Sequence, residues 1–392
     1  MDPVAALRRI GFLLEREHAE TYRVKAYRTA ALTVAGLDDD ELARRVRAGT
    51  LTDLQGLGPK TAGVVAEAAQ GHVPAYLQQL EDAVRPLAEG GEQLRGALRG
   101  DLHTHSDWSD GGSPIEEMAV TAIELGHEYM AVTDHSPRLT VANGLSAARL
   151  RDQLDVVARL GERLGAFCLL SGIEVDILED GALDQEPELL AELGVVVASV
   201  HSKLRMESAA MTRRMLRAVA NPDTDVLGHC TGRTLGPRVD RPRRARASRT
   251  GAESTRGSTA RGGGRSGRER SAAGRERSAA GRERSADSGR GGRPPSEFDA
   301  HAVFTACAEL GVAVEINCRP ERQDPPDDLL SLALDIGCLF SIDTDGHAPG
   351  QLDWQVYGCA RAEPLGVPPE RVVNTWPLED LRAWTRDHRH RP

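Results

Sequence analysis

Seven apolar runs between residues 99 and 347 each end on polar residues, and they alternate with amphipathic stretches of helical spacing. The runs are RGDLHTH, YMAVTDH, LLSGIEV, VVVASVH, DVLGHC, VAVEINC and LFSIDTDGH, and the intervening stretches include PIEEMAVTAIELG and SAARLRDQLDVVARLGERLG. This alternation predicts a parallel α/β architecture, because neighbouring parallel strands need a long crossover that is usually a helix. In a barrel of parallel strands the C-terminal strand ends converge on one mouth. The polar residues that close the runs are therefore expected to meet in space.

Those residues are His103 and His105 from HTH, Asp110 from SDG, His135 from TDH, Glu174 from GIE, His201 from SVH, His229 from GHC, and Asp345 and His347 from DGH. Residues two apart on a strand point to the same side, so His103 with His105, and Asp345 with His347, can each chelate. A lone strand-end histidine is more often structural than a ligand. Six imidazoles and three carboxylates gathered without metal, however, would lose solvation and force like charges together, whereas mixed N/O ligation suits Zn, Mn or Fe.

Nine side chains exceed what one ion can take, so two or three divalent ions are expected, with Glu174 a bridge because a carboxylate has two oxygens. Such a site favours phosphoester hydrolysis. Ions about 4 Å apart acidify an attacking water, hold phosphate oxygens and stabilise the leaving alkoxide, and no protein nucleophile is required. Lys203, Arg319 and Arg322 lie near the expected mouth, and Lys203 and Arg319 are the first candidates to hold substrate phosphate.

Residues 1–90 read differently. VAALRRIGFLLERE, YRVKAYRTAALTVA and TAGVVAEAAQ have apolar positions at helical spacing and predict a small all-helical module. Within it, LTDLQGLGPKTAGVVAEA has a Gly56-Leu57-Gly58 turn before a helix, the layout of a helix-hairpin-helix. Glycines there let backbone N–H groups approach a phosphate at the helix N-terminus, with Lys60 and Thr61 nearby to assist. DNA is the partner expected for this module.

Residues 241–294 carry sixteen Arg against five Asp plus Glu, so at −10 overall the rest of the chain sums to −21. An acidic body argues against broad electrostatic capture of nucleic acid and suits a carboxylate-rich site neutralised by metals. GRERSAA occurs at 267–273 and again at 274–280. The Arg/Gly/Ser-rich stretch 238–294 cannot bury a core and is expected to be a disordered insert, without aromatic residues for base stacking. Six scattered cysteines without a C-x-x-C pair read as reduced thiols. With neither a leader nor a membrane-length apolar run in view, a cytoplasmic protein without membrane contact is expected.

HTHSDWSDG, TDH, GIE, SVH, GH and DTDGH resemble the ordered motifs of the PHP family, the polymerase and histidinol phosphatase domain, over about residues 99–237 and 295–385. The resemblance implies a distorted seven-stranded TIM-like (β/α) barrel with a trinuclear centre, and its nine ligand positions fall on the nine residues named above. Gly346 stands where a small residue such as alanine is usual. Residues 1–92 resemble the N-terminal DNA-binding domain of bacterial family X DNA polymerases. Where some members place a lyase lysine this chain has Val64, so lyase chemistry is not expected. About ten residues separate the module from HTH, too few for a polymerase palm.

The expected function is a metal-dependent phosphoesterase acting on DNA ends in repair, as a 3′–5′ exonuclease, 3′-phosphatase or abasic-site nuclease. The alternatives are a small-metabolite phosphatase such as a histidinol-phosphatase, with the helices a lid or oligomer contact, and a non-catalytic DNA-binding accessory protein. A complete ligand set argues against the last.

Overall fold

The computed structural model describes residues 1–236 and 292–387. All but the last three residues of the 238–294 insert lie outside them.

The chain opens with five helices. Asp2 accepts the Ala5 N–H at 2.6 Å and caps α1 (Pro3–Arg16), whose first residue is a proline preset for the first turn. α2 (Thr21–Ala35) follows, then α3 (Asp39–Ala48), capped by Asp38, and α4 (Pro59–Ala69) and α5 (Ala75–Ala83). Leu7, Ile10 and Leu14 of α1 bury one stripe against Tyr27, Val34, Val65 and Leu77. Each such apolar side chain contributes about 1.5–3 kcal/mol relative to exposure. Val64 is in the same core at 4% exposure. α6 (Glu92–Ala97) fills the short link to the barrel, and its Leu94 packs in the barrel's own core.

The seven predicted runs form seven strands: β1 (Gly100–Thr104), β2 (Tyr129–Val132), β3 (Cys168–Asp176), β4 (Val195–Ser199), β5 (Val226–Leu227), β6 (Ala313–Asn317) and β7 (Phe340–Asp343). They lie side by side in sequence order, every neighbouring pair parallel. The crossovers hold α7 (Ile115–Glu124), α8 (Ala147–Gly161), α9 (Pro187–Leu190), α10 (Ser208–Val219), α11 (Ala300–Leu310) and α12 (Asp327–Ile336), and α13 (Gln355–Ala362) and α14 (Leu378–Asp387) follow β7. Between β1 and β7 the backbone ladder is replaced in part by side chains. Asp343 accepts the Leu102 N–H, Thr344 donates to Asp101, and a parallel bridge joins Thr104 to Gly346. The result is a seven-stranded, nearly closed TIM-like barrel.

Leu102, Tyr129, Ala131, Val195, Val197, Val226 and Ala313 fill the barrel below its mouth, and Leu381 and Trp384 of α14 close the lower end. The register of β1 on β2 shifts between Asp101 and Thr104, an irregularity that runs into the start of the HTH motif. All six cysteines are free and five are buried. Among the described residues no helix is long and apolar enough to cross a membrane.

Candidate metal centre

Six strands deliver the nine predicted residues to one end of the barrel. β1 and the loop beyond it carry His103, His105 and Asp110; His135 follows β2; Glu174 lies within β3; His201 and His229 follow β4 and β5; Asp345 and His347 follow β7. Glu174 stands in the middle. Its Oε1 is 2.7 Å from His229 Nε2 and 3.1 Å from His201 Nε2, and its Oε2 is 2.7 Å from His135 Nδ1 and 3.4 Å from His103 Nε2. His105 Nε2 is 3.6 Å from Glu174 and 3.4 Å from Asp345 Oδ1. Asp110 reaches His135 and His347 at 3.4 and 3.3 Å.

These donors form three overlapping groups among the described residues, each with ligand atoms within 4.8 Å of one another: His105, Asp110, His135 and His347; His103, His105 and Asp345; His135, Glu174 and His201. His103, His105, Glu174 and His229 are buried to 2% exposure or less. Yet His103 Nε2, both ring nitrogens of His105 and of His201, His135 Nδ1 and Glu174 Oε2 make no hydrogen bond. A buried polar atom without a partner costs about 1–3 kcal/mol. Here the atoms left without a partner belong to donors gathered within 4.8 Å of one another, a density that divalent ions would satisfy.

The electrostatics agree. Burial alone would lift the Glu174 carboxyl, but the imidazoles of His201, His135 and His103 outweigh it and hold it well below the carboxylate range. Asp345 is likewise held low against its burial by Arg319 and His103. Burial would lower His201, but Glu174 and then Asp176 push it up to about 9, while burial and Arg322 bring His229 down to about 4. Both carboxylates thus stay ionised in the buried site, a charge that divalent ions held by neutral imidazoles would also balance.

Several residues that hold the donors carry no motif. Glu315 of β6 lies 2.6 Å from His103 Nδ1 and also accepts the His229 N–H, so it turns His103 Nε2 toward the centre. Asp176 accepts the His201 N–H at 3.1 Å, and Asn317 donates to Asp345 Oδ2 at 3.1 Å. The detectable signal was a Glu and an Asn two apart inside the apolar run VAVEINC. At Gly346 a Cβ would meet Thr344 Oγ1 at 2.8 Å, so glycine relieves a crowded turn.

The predicted phosphate-holding residues divide. Lys203 is exposed at the rim, two residues past His201, with a φ of 53°. Arg319 faces inward instead: it donates to Glu321 at 2.9 Å and to the Asp345 carbonyl at 3.0 Å, and its Nη1 lies 2.8 Å from His347 Nδ1. Its donors are taken up in bracing Asp345, whose own φ of 50° is unusual for a residue with a Cβ. Arg322 lies 3.2 Å from Asp345 Oδ2.

In the helical module the hairpin turn precedes α4. Gly56 has a φ of +94°, and a Cβ there would meet Thr29 Cγ2 at 2.8 Å and Thr33 Oγ1 at 2.9 Å, so only glycine fits. Gly58 and Lys60 are exposed at the α4 N-terminus. Thr61 is not: at 4% exposure, its hydroxyl accepts the Gly58 N–H at 3.0 Å and donates to the Gly58 carbonyl. That bond closes the first turn, which makes Thr61 a brace and corrects the expectation that it assists at a phosphate.

A family model described as PHP domain matches residues 101–235, and one described as helix-hairpin-helix domain matches residues 1–74. The DNA polymerase/3′-5′ exonuclease PolX of Bacillus subtilis (strain 168) is 30% identical over 315 residues, 80% of this chain and 46% of that one. A probable phosphatase of Thermoanaerobacter sp. (strain X514) is 32% identical over 134 residues, 33% of this chain and 52% of that one. The chain thus spans about half the length of these curated relatives. A crystal structure of histidinol phosphate phosphatase from Lactococcus lactis, complexed with zinc, L-histidinol and phosphate, shares 14% identity at a TM-score of 0.39, covering 69% of this chain and 95% of that one. With its ordered strand-end motifs, its barrel and these two matches, the chain carries a PHP domain over residues 101–235 and a helix-hairpin-helix domain over residues 1–74.

Proposed function

We propose that this chain is a metal-dependent phosphoesterase that processes DNA ends, as a 3′–5′ exonuclease, 3′-phosphatase or abasic-site nuclease. The observation that carries the reading is the gathering of the nine residues at one end of the barrel, eight of them in groups within 4.8 Å and His229 2.7 Å from Glu174, with ring nitrogens and an oxygen left without hydrogen bonds. Two or three divalent ions of Mn, Zn or Fe, held by His103, His105, Asp110, His135, Glu174, His201, His229, Asp345 and His347, would supply charge neutralisation for the phosphate and an activated water for the attack.

The chain's own residues do the rest. Glu174 lies between the groups and can bridge neighbouring ions through its two oxygens. Glu315 and Asp176 fix the orientation of His103 and His201, so little reorganisation accompanies the reaction. Asp110, more exposed than the other carboxylates, forms the substrate side, where Lys203 at the rim can meet a phosphate oxygen.

DNA is the favoured substrate because of what precedes the barrel. The exposed first turn of α4 offers Lys60, through its side chain and its backbone N–H, to a backbone phosphate, beside a groove of about 1000 Å³ lined by Tyr22, Arg23, Lys60 and Tyr76. The relative in Bacillus subtilis carries 3′-5′ exonuclease in its name. The test is phosphate or nucleotide release from a 3′-recessed duplex, a 3′-phosphorylated oligonucleotide and histidinol phosphate, with Mn²⁺ and after chelation. Chelator-sensitive turnover of DNA alone supports the proposal, and turnover of histidinol phosphate alone replaces it with a metabolic phosphatase. No turnover of any substrate leaves a DNA-binding accessory role.

A further inference from the structure

The end of α1 reaches the loop that follows β7, and that loop begins with two of the metal-site residues. We infer that the C-terminal end of α1 is part of the support of the metal centre, so that docking of the helical module and metal occupancy form one coupled equilibrium. The inference rests on reading the nine-residue cluster as a metal centre.

Two routes of contact carry it. The first runs along the loop. Glu15, 5% exposed and paired with Arg28, accepts the Gly350 N–H at 2.9 Å. A Cβ at Gly350 would lie 2.1 Å from the Phe12 carbonyl, so loop and helix meet backbone to backbone. Arg16 donates to Asp353 at 2.7 Å, and its carbonyl accepts the Trp354 indole N–H at 3.0 Å. His18 stacks on the Trp354 ring, 4.2 Å between centroids and 4° from parallel. At the other end of this loop, His347 N donates to Gln351 at 2.8 Å, and the His347 carbonyl accepts from Gly112 in the loop that carries Asp110.

The second route runs through side chains. His18 Nε2 lies 3.4 Å from Glu321 Oε2, Glu321 holds Arg319, and Arg319 braces the Asp345 carbonyl and the His347 ring. Glu321 and Asp353 are therefore positioning residues. Neither touches the space between the donors, yet each ties a ligand-bearing segment to the module. Because coupling between two equilibria is reciprocal, metal binding must in turn tighten the docking of α1.

The test uses the full chain with Glu321→Gln and Asp353→Asn, both on partly exposed side chains. Mn²⁺ affinity and stoichiometry are measured by titration, and amide exchange in α1 is followed with and without Mn²⁺. We expect Mn²⁺ to bind roughly tenfold more weakly at the weakest site in at least one variant, the scale for losing a residue that orients a ligand. We also expect Mn²⁺ to slow exchange in α1 of the unaltered chain, and to do so less in that variant. Wild-type affinity in both variants, or exchange in α1 indifferent to Mn²⁺, overturns the coupling. A wild-type chain that holds no Mn²⁺ overturns the metal-centre reading itself.

Discussion

The barrel mouth and the α4 hairpin both present groups suited to phosphate, but they are built from opposite materials. At the mouth, nine ionisable side chains from six strands converge; six of them are buried, some are oriented by further carboxylates, and six carry ring nitrogens or an oxygen without a hydrogen bond. At the hairpin the exposed first turn of α4 presents one lysine, the Gly58 N–H is taken by Thr61, and the side chains nearby serve the turn. A metal site needs many specific side chains because each ion requires several ligands at short range. A backbone phosphate needs only a helix N-terminus that it can approach. The mouth therefore draws on many side chains that are costly to assemble, and the hairpin on few.

The largest effect should come from the centre of the costlier region. Glu174→Ala removes the carboxylate that five histidines surround, and turnover of any phosphoester should fall on the order of 10⁴-fold, as when one member of a catalytic unit is deleted. Steady-state assays at saturating Mn²⁺, with circular dichroism to verify the fold, check this; more than a tenth of wild-type turnover would contradict Glu174 as the bridge. Next in size is Glu315→Gln, which leaves all nine donors in place and alters only what turns His103. Mn²⁺ affinity should drop roughly 10–100-fold, measured by calorimetric titration. An unchanged affinity would mean that the buried Glu315 serves packing rather than the centre.

How much of this was legible follows from the same contrast. Eight of the nine candidates stood out because HTH, TDH, GIE, SVH, GHC and DGH each end an apolar run with residues that burial would otherwise exclude, and all seven runs became strands. Glu315 did not stand out, since one acid in VAVEINC looks the same whether it supports a ligand or a turn. Arg319 lies near the mouth as its sequence position implies, but sequence does not show that Glu321 and Asp345 engage its donors. Thr61 was misjudged by direction, because a residue at the third position of a helix points either out to a ligand or back to its cap. The seam residues Asp101 and Asp343 are not among the candidate donors, although Asp343 opens DTDGH, and their role is set by the need to close a seven-stranded sheet whose ends do not fully pair.

In the hairpin, backbone geometry should be the sensitive quantity. Gly56→Ala forces a Cβ into Thr29 and Thr33 at a φ of +94°. The module should lose about 1–3 kcal/mol, the range for a strained left-handed position, visible as a lower Tm and weaker DNA binding. An unshifted Tm would show that the turn relaxes freely and that its shape is not what presents α4.

Lys60→Glu should give the smallest free-energy change and the sharpest contrast between the two regions. Lys60 is exposed at the start of α4 with its chain free to reach a phosphate, and reversing its charge leaves Gly56, Gly58 and the Thr61 cap intact. DNA affinity should fall about tenfold, and the slope of log affinity against log salt should decrease by about one, because one fewer phosphate counterion is released. The same variant should hydrolyse p-nitrophenyl phosphate, which is too small to span both sites, at the wild-type rate. If DNA binding and its salt slope stay unchanged while the barrel still cleaves DNA, the substrate is gripped at the mouth, and the hairpin is a structural turn.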